Sequence, residues 1–258
     1  MKHLIITFLS LSIVSQDSIE PTFIEKTKFT ADTLVSVNDF DTAFYISENI
    51  LFKKSKEVKG IDIGYNNFQL GNITSVNTFN PLKINVFYRN FNTVVVLDNR
   101  LAEMFKIDFN TIQPYKNVTH ISTGFDNTLW IFNQDTQDLE LYDYKTNTTR
   151  AKTLPIKGPV LDLKSNYNTC WLLTEDYLYV YNYFGSLLEK IKNNGYTEMI
   201  ENDGNIILKK DNKLFYLKGN QDMPNAIKLP NLLINQFFVT NETLYIYDGE
   251  YLHKFKIN

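Results

Sequence analysis

Apolar and polar residues alternate over short runs along most of the chain, and clusters of Asn, Asp, Gly and Thr break each run. A period of two belongs to extended strands, whose successive side chains point to opposite faces. The pattern therefore predicts many short antiparallel strands and no helix longer than a turn or two. One stretch is ambiguous. Leu101, Met104 and Phe105 fall at near-helical spacing within 99–107, yet the same residues read as a turn followed by a strand over 103–108.

Set beneath one another, the runs repeat. Ala43-Phe44-Tyr45-Ile46, Ile84-Asn85-Val86-Phe87, Thr128-Leu129-Trp130-Ile131, Cys170-Trp171-Leu172-Leu173, Asn205-Ile206-Ile207-Leu208 and Thr243-Leu244-Tyr245-Ile246 occupy one position of a shared unit. Their spacing of roughly 35 to 43 residues is that of propeller blades of four strands each. Each unit has a leading strand, a polar turn, this core strand, a second polar turn and a third strand rich in Leu and Tyr. The pattern predicts an all-β fold, a six-bladed β-propeller, with five or seven blades as the alternative counts.

Closure of the ring follows from the ends of the pattern. Phe255-Lys256-Ile257-Asn258 comes directly after the third strand of the sixth unit and leaves that unit without an outer strand. The extended run 22–29 has no unit of its own. If it supplies the missing strand, the first and last blades are joined and an exposed edge is removed.

The amino terminus reads differently from the body. Met1-Lys2-His3 precedes an apolar run over 4–14, then Ser15-Gln16-Asp17. An apolar segment of about eleven residues after a basic start matches a secretory signal, whereas about 20 residues are needed to span a bilayer. The expected organisation is a signal peptide over 1–15 and a single propeller domain over 16–258. The protein is thus expected to be exported, with no transmembrane segment.

Composition narrows the function classes. A formal net charge of −3 offers no excess with which to neutralise a phosphate backbone, so no nucleic-acid partner is predicted. Aromatic residues make up 14% of the chain, with 16 Tyr and 19 Phe against 2 Trp, and they fall in the strand runs of every unit. Large planar side chains are expected to fill the wedges between packed blades.

Candidate chemistry is sparse. Cys170, the single cysteine, sits in Cys-Trp-Leu-Leu, where a small buried apolar residue is wanted, and cannot form an internal disulfide. His120 and His253 lie in different units without a second histidine at ligand spacing. His120 opens the leading strand of the third unit and could face a central channel. Asp residues concentrate at turns, where Asp is expected in any case, without the dense alternating loop of a calcium site. A Gly-rich phosphate loop and a Gly-x-Ser-x-Gly elbow are both missing. No catalytic residue, cofactor or metal is predicted, and nothing predicts a homo-oligomer. For docking, the candidates are Tyr65, Phe68 and Leu70, in the long segment after the third strand of unit one.

The run over 80–101, beginning Asn80-Pro81-Leu82-Lys83 and continuing through Val94-Val95-Val96-Leu97-Asp98, resembles a segment of uncharacterised secreted propeller-like proteins of Bacteroidota. The ending Ser15-Gln16 and the Asn-, Lys- and Ile-rich composition are similar to that group. The resemblance implies a periplasmic or outer-membrane-associated protein of the cell envelope, an accessory subunit of an outer-membrane secretion or assembly complex. The broad rigid surfaces of a repeat scaffold, with no concentrated set of reactive groups, point to a non-enzymatic protein-interaction scaffold. A channel-mouth hydrolase or lyase and a carbohydrate-binding module are the alternatives.

Overall fold

Six four-stranded antiparallel sheets stand in a ring, the architecture of a six-bladed β-propeller. The computed structural model describes residues 18–38, 42–54, 62–219 and 221–257, so the signal-peptide expectation for 1–15 lies outside the described residues, as do Asp39 and Asp41, two of the Asp residues expected at turns. From the axis outward, blade 3 consists of Val118–Thr123, Thr128–Asn133, Asp138–Asp143 and Thr148–Lys152. Blade 4 repeats this order with Val160–Ser165, Thr169–Thr174, Tyr177–Asn182 and Leu187–Lys192. The ambiguous stretch in unit two forms the outer strand Glu103–Asp108 after a turn in which Leu101 takes φ 60°. Among the described residues the helical content is two single turns of 3-10 helix, Phe68–Leu70 and Arg89–Phe91.

The hydrophobic core is divided into six clusters, one in each seam between neighbouring blades. The second strand of each blade feeds two of them. In blade 3, Leu129 and Ile131 pack toward blade 2, while Trp130 and Phe132 pack toward blade 4. In blade 6, Leu244 and Ile246 face blade 5, and Tyr245 and Tyr247 face blade 1. A strand covered on both sides has no polar face, which is why these strands read as nearly continuous apolar runs. Each fully buried large side chain here, such as Trp130, Tyr142 or Phe87, contributes about 1.5–3 kcal/mol before conformational entropy is counted. Cys170 is one of these seam residues, fully buried, and burial pushes its thiol pKa well up.

The closing strand is present as expected. Thr22–Lys28 pairs antiparallel with Tyr251–Lys256, running from Thr22 opposite Lys256 to Lys28 opposite Tyr251. The segment reaches further than one blade. Before the strand, Ile19 N–H donates to Ala226 O at 3.0 Å and Ile19 O accepts from Lys228 N–H at 2.8 Å, clipping it to blade 5. After it, the Phe29 ring meets Tyr45 of blade 1 and Tyr247 of blade 6 edge to face, at 5.3 and 6.1 Å. The first described segment thus joins three blades.

Candidate functional site

We call the face that carries the turns between first and second strands the upper face, because those turns stand nearest the axis. Three consecutive blades present an aromatic residue there: Phe79 from blade 2, Phe125 from blade 3 and Tyr167 from blade 4. Their exposures are 41%, 57% and 38%. Phe79 and Phe125 each meet the Tyr167 ring edge to face, with centroids 5.0 and 6.4 Å away. Burial raises the Tyr167 pKa. Water-exposed rings that contact one another across blades form an apolar patch at the mouth.

The turns hold these rings by local chemistry. Asn77 Oδ1 accepts from Phe79 N–H at 3.2 Å, and Asn80 Oδ1 from Leu82 N–H at 3.0 Å. Lys83 ties the turn of blade 2 to that of blade 3, donating to Asp126 O at 2.8 Å and Asn127 Oδ1 at 3.1 Å. Gly124 lets the chain pass close to its own strand: a Cβ there would overlap Thr128 Oγ1 and lie 2.8 Å from Thr128 O and from Leu141 Cδ1. In blade 4, Asn166 Oδ1 accepts from Asn168 and Thr169 N–H, each at 2.9 Å.

Beneath the rings, neutral polar groups link the inner strands. Ser36 and Thr78 share a hydrogen bond of 2.6 Å between blades 1 and 2. Asn77 donates to Ser122 at 3.2 Å and accepts from Thr123 at 2.6 Å, while Asn85 donates to Thr123 at 3.1 Å. Ser165 donates to Ser122 at 2.7 Å, and Asn166 donates to Glu201 at 2.9 Å, carrying the chain of contacts into blade 5. Glu201 also accepts from Gly204 N–H at 3.0 Å; burial pushes its carboxyl pKa up against these two donors.

Deeper in the ring stand the groups on which catalysis would have to rest. His120 lies on the inner strand of blade 3, as its sequence position implied, and shares a 3.1 Å hydrogen bond with the Thr119 hydroxyl. Burial lowers its pKa to about 4, assisted by the charges of Arg89 and Lys164 and opposed by Asp162, so the imidazole is neutral at pH 7. Both oxygens of Asp162 are engaged: Oδ1 accepts from Leu163 N–H and Lys164 Nζ, each at 2.8 Å, and Oδ2 from Met199 N–H at 2.9 Å. His253 is on the third strand of blade 6, its Nε2 2.7 Å from Asp248. Among the described residues no group of three His, Cys, Asp or Glu side chains could hold a metal ion.

The structure separates the three docking candidates. Phe68 projects into solvent on the face opposite the aromatic mouth. Tyr65 and Leu70 are buried in the seam between blades 1 and 2, where the Tyr65 hydroxyl donates to Glu103 Oε1 at 2.7 Å. The single 3-10 turn Phe68–Leu70 swings Leu70 inward as it turns Phe68 out. Phe79, Phe125 and Tyr167 were passed over in the sequence because each is a lone aromatic inside a polar turn. Their recurrence at the same turn of three successive units was the available signal.

The fold and mouth place the chain among propeller proteins of varied function. No protein-family model matches it, and no curated protein matches its sequence. Solved structures do. Virginiamycin B lyase from Staphylococcus aureus is 13% identical over 97% of this chain and 98% of its own, with a TM-score of 0.61. BamB from Moraxella catarrhalis is 13% identical over 84% of this chain and 70% of its own, TM-score 0.50. PorZ of Porphyromonas gingivalis, a bacterial surface component of the type-IX secretion system, is 13% identical over 86% of this chain but 32% of its own length, TM-score 0.52. Identities this low establish the fold alone. No helix among the described residues is long and apolar enough to cross a membrane.

Proposed function

We propose that this protein is a non-enzymatic propeller of the periplasm or cell envelope that docks protein partners on its upper face, as an accessory subunit of an outer-membrane secretion or assembly complex. One observation carries the reading: Phe79, Phe125 and Tyr167 converge from three blades while still exposed. Clustered, partly desolvated aromatic side chains are the usual anchors of protein interfaces. The likeness to PorZ supports a role at the cell surface, and the sequence resemblance over 80–101 supports a secreted Bacteroidota protein. Against a hydrolase or lyase, burial holds the His120 pKa at about 4, far below the pH at which a general acid or base works best, and both oxygens of Asp162 already accept hydrogen bonds.

The test is affinity recovery from native, cross-linked envelopes, with the wild-type chain compared with Phe79→Ser/Phe125→Ser/Tyr167→Ser. The expected result is a defined partner set with the wild type and its loss in the variant, whose thermal unfolding stays within a few degrees. Recovery of the wild type solely as a free monomer, or an unchanged partner set with the variant, would overturn the reading.

A further inference from the structure

Blades 3 and 4 diverge at their outer ends and leave an open groove of about 670 Å³. One wall is the third strand of blade 4, Tyr177–Asn182; the other is the segment 152–157 that links the two blades, and the turn Gly185-Ser186 bounds the upper end. Tyr177, Tyr179 and Tyr181 are alternate residues of that strand and so share its groove-facing side. Their ring centroids are 5.8 and 6.2 Å apart.

These tyrosines have a property that seam packing does not explain. Tyr179 and Tyr181 are 8% and 5% exposed, and their rings belong to the seam core. Phe would pack there as well. Yet their hydroxyls, and that of Tyr177, hydrogen-bond to no described residue, whereas those of Tyr45, Tyr65, Tyr142 and Tyr247 each do. Nor are they sealed from solvent: among the described residues the buried side-chain polar atoms without a partner are Tyr88 Oη and Gln236 Oε1. The hydroxyls therefore serve the groove and nothing else in the fold.

We infer that this groove is a second docking site, for an extended polypeptide segment that carries carboxylates among apolar side chains; the inference rests on the protein-interaction reading above. Charge complementarity selects the carboxylates, because Lys157 and Lys190 line the groove against one carboxylate, Asp176, while Lys152, which also lines it, is paired with Asp138 at 2.9 Å. Leu154 and Leu187, both exposed, offer the apolar lips. A six-residue wall is about 17 Å long and matches about five residues of extended chain. Tyr hydroxyls donate to the carbonyls of such a chain. Sugar stacking is not favoured, since Lys190 Nζ covers the Tyr177 ring at 3.9 Å and lies 5.3 Å from that of Tyr179, while Tyr179 and Tyr181 stack on each other.

The probe is a displayed library of ten-residue peptides built from Asp, Glu, Leu, Phe, Pro and Ser, panned on the whole protein, with affinities then measured by fluorescence anisotropy. Peptides mixing acidic and apolar residues are expected to emerge. Tyr179→Phe/Tyr181→Phe, which keeps both rings and hence the fold, should weaken them about tenfold, as two lost hydrogen bonds imply. Lys190→Glu should weaken them at least as much, and the triple aromatic variant of the upper mouth should bind them unchanged. Failure to select any such peptide, or equal affinity for the Tyr→Phe and Lys190→Glu variants, overturns the site. Binding of maltohexaose that those same variants abolish would assign the groove to sugar and also overturn it. Failure of the upper-mouth reading would appear instead as unaltered partner recovery in the triple variant, a result that leaves these affinities unchanged.

Discussion

Replacing Lys116 with Met tests how blade 3 is held to the segment that leads into it. Lys116 and Glu140 form an ion pair at 2.5 Å, with side chains 6% and 3% exposed. The carboxylate also accepts from the Thr149 hydroxyl at 2.5 Å and from Asn133 Nδ2 at 3.3 Å. Burial alone would raise the Glu140 pKa, but these donors and the lysine charge outweigh it and hold the carboxyl below its ordinary 4.5. Lys116→Met leaves that carboxylate buried with two neutral donors, and breaking a buried pair from one side costs about 3–5 kcal/mol. For a domain of this size the loss lowers Tm by roughly 6–20 °C.

Removing both charges should be far milder. Lys116→Met/Glu140→Met leaves Asn133 and the half-buried Thr149 hydroxyl each without an acceptor, at a cost of about 1–3 kcal/mol, so the double variant should be more stable than the single one. The pH dependence fixes the sign independently. A carboxyl whose native pKa is depressed adds stability above its ordinary value and loses it as pH falls through the native value. The Lys116→Met penalty should therefore be largest near pH 7 and shrink below about pH 4.5. Urea unfolding across pH, monitored by fluorescence of Trp130 and Trp171, measures all three. A single-variant penalty under about 1 kcal/mol at pH 7, or a double variant as unstable as the sum of the two singles, would refute the reasoning.

Deleting residues 21–31 should abolish cooperative unfolding, because it removes the outer strand of blade 6 and the Phe29 contacts to blades 6 and 1; a scanning-calorimetry transition unchanged from wild type would contradict this. Leu70→Ala should cost about 2–5 kcal/mol, as for a buried core leucine, whereas Phe68→Ala should stay within about 0.5 kcal/mol in denaturant melts. Gly124→Ala should cost about 1–3 kcal/mol through overlap with Thr128 and weaken the upper-face interaction, read by urea melts and by partner recovery. His120 takes up a proton less readily folded than unfolded, so wild-type stability should decline as pH falls from about 6.5 toward about 4, and His120→Gln should lack that component.

The fold was legible in the sequence because propeller geometry makes the second strands conspicuous. Trp130 and Ile131 face opposite seams, yet both must be apolar, and six such runs at regular spacing identify the ring. The closing strand was legible as an extended run without a unit. The upper mouth was less conspicuous, since Phe79, Phe125 and Tyr167 become neighbours through the packing of three successive blades, and each by itself is a lone aromatic in a polar turn. Tyr65 and Leu70 misled for a related reason: apolar residues near a long connection look available until a single turn of 3-10 helix tucks one of them between blades.

The pairing of Thr22–Lys28 with Tyr251–Lys256 also sets a schedule. Among the described strands of the ring, the earliest made pairs with the latest made, so the ring stays open while those between them are synthesised. At about 5–20 residues per second this interval is on the order of 10–50 s, during which Thr22–Lys28 lacks its ladder partner and is able to template intermolecular pairing. Assembly of the finished ring is thus tied to the arrival of the last strand. A chain threaded across a membrane amino end first would have to keep its opening strand from finding another partner until the final blade emerged beside it.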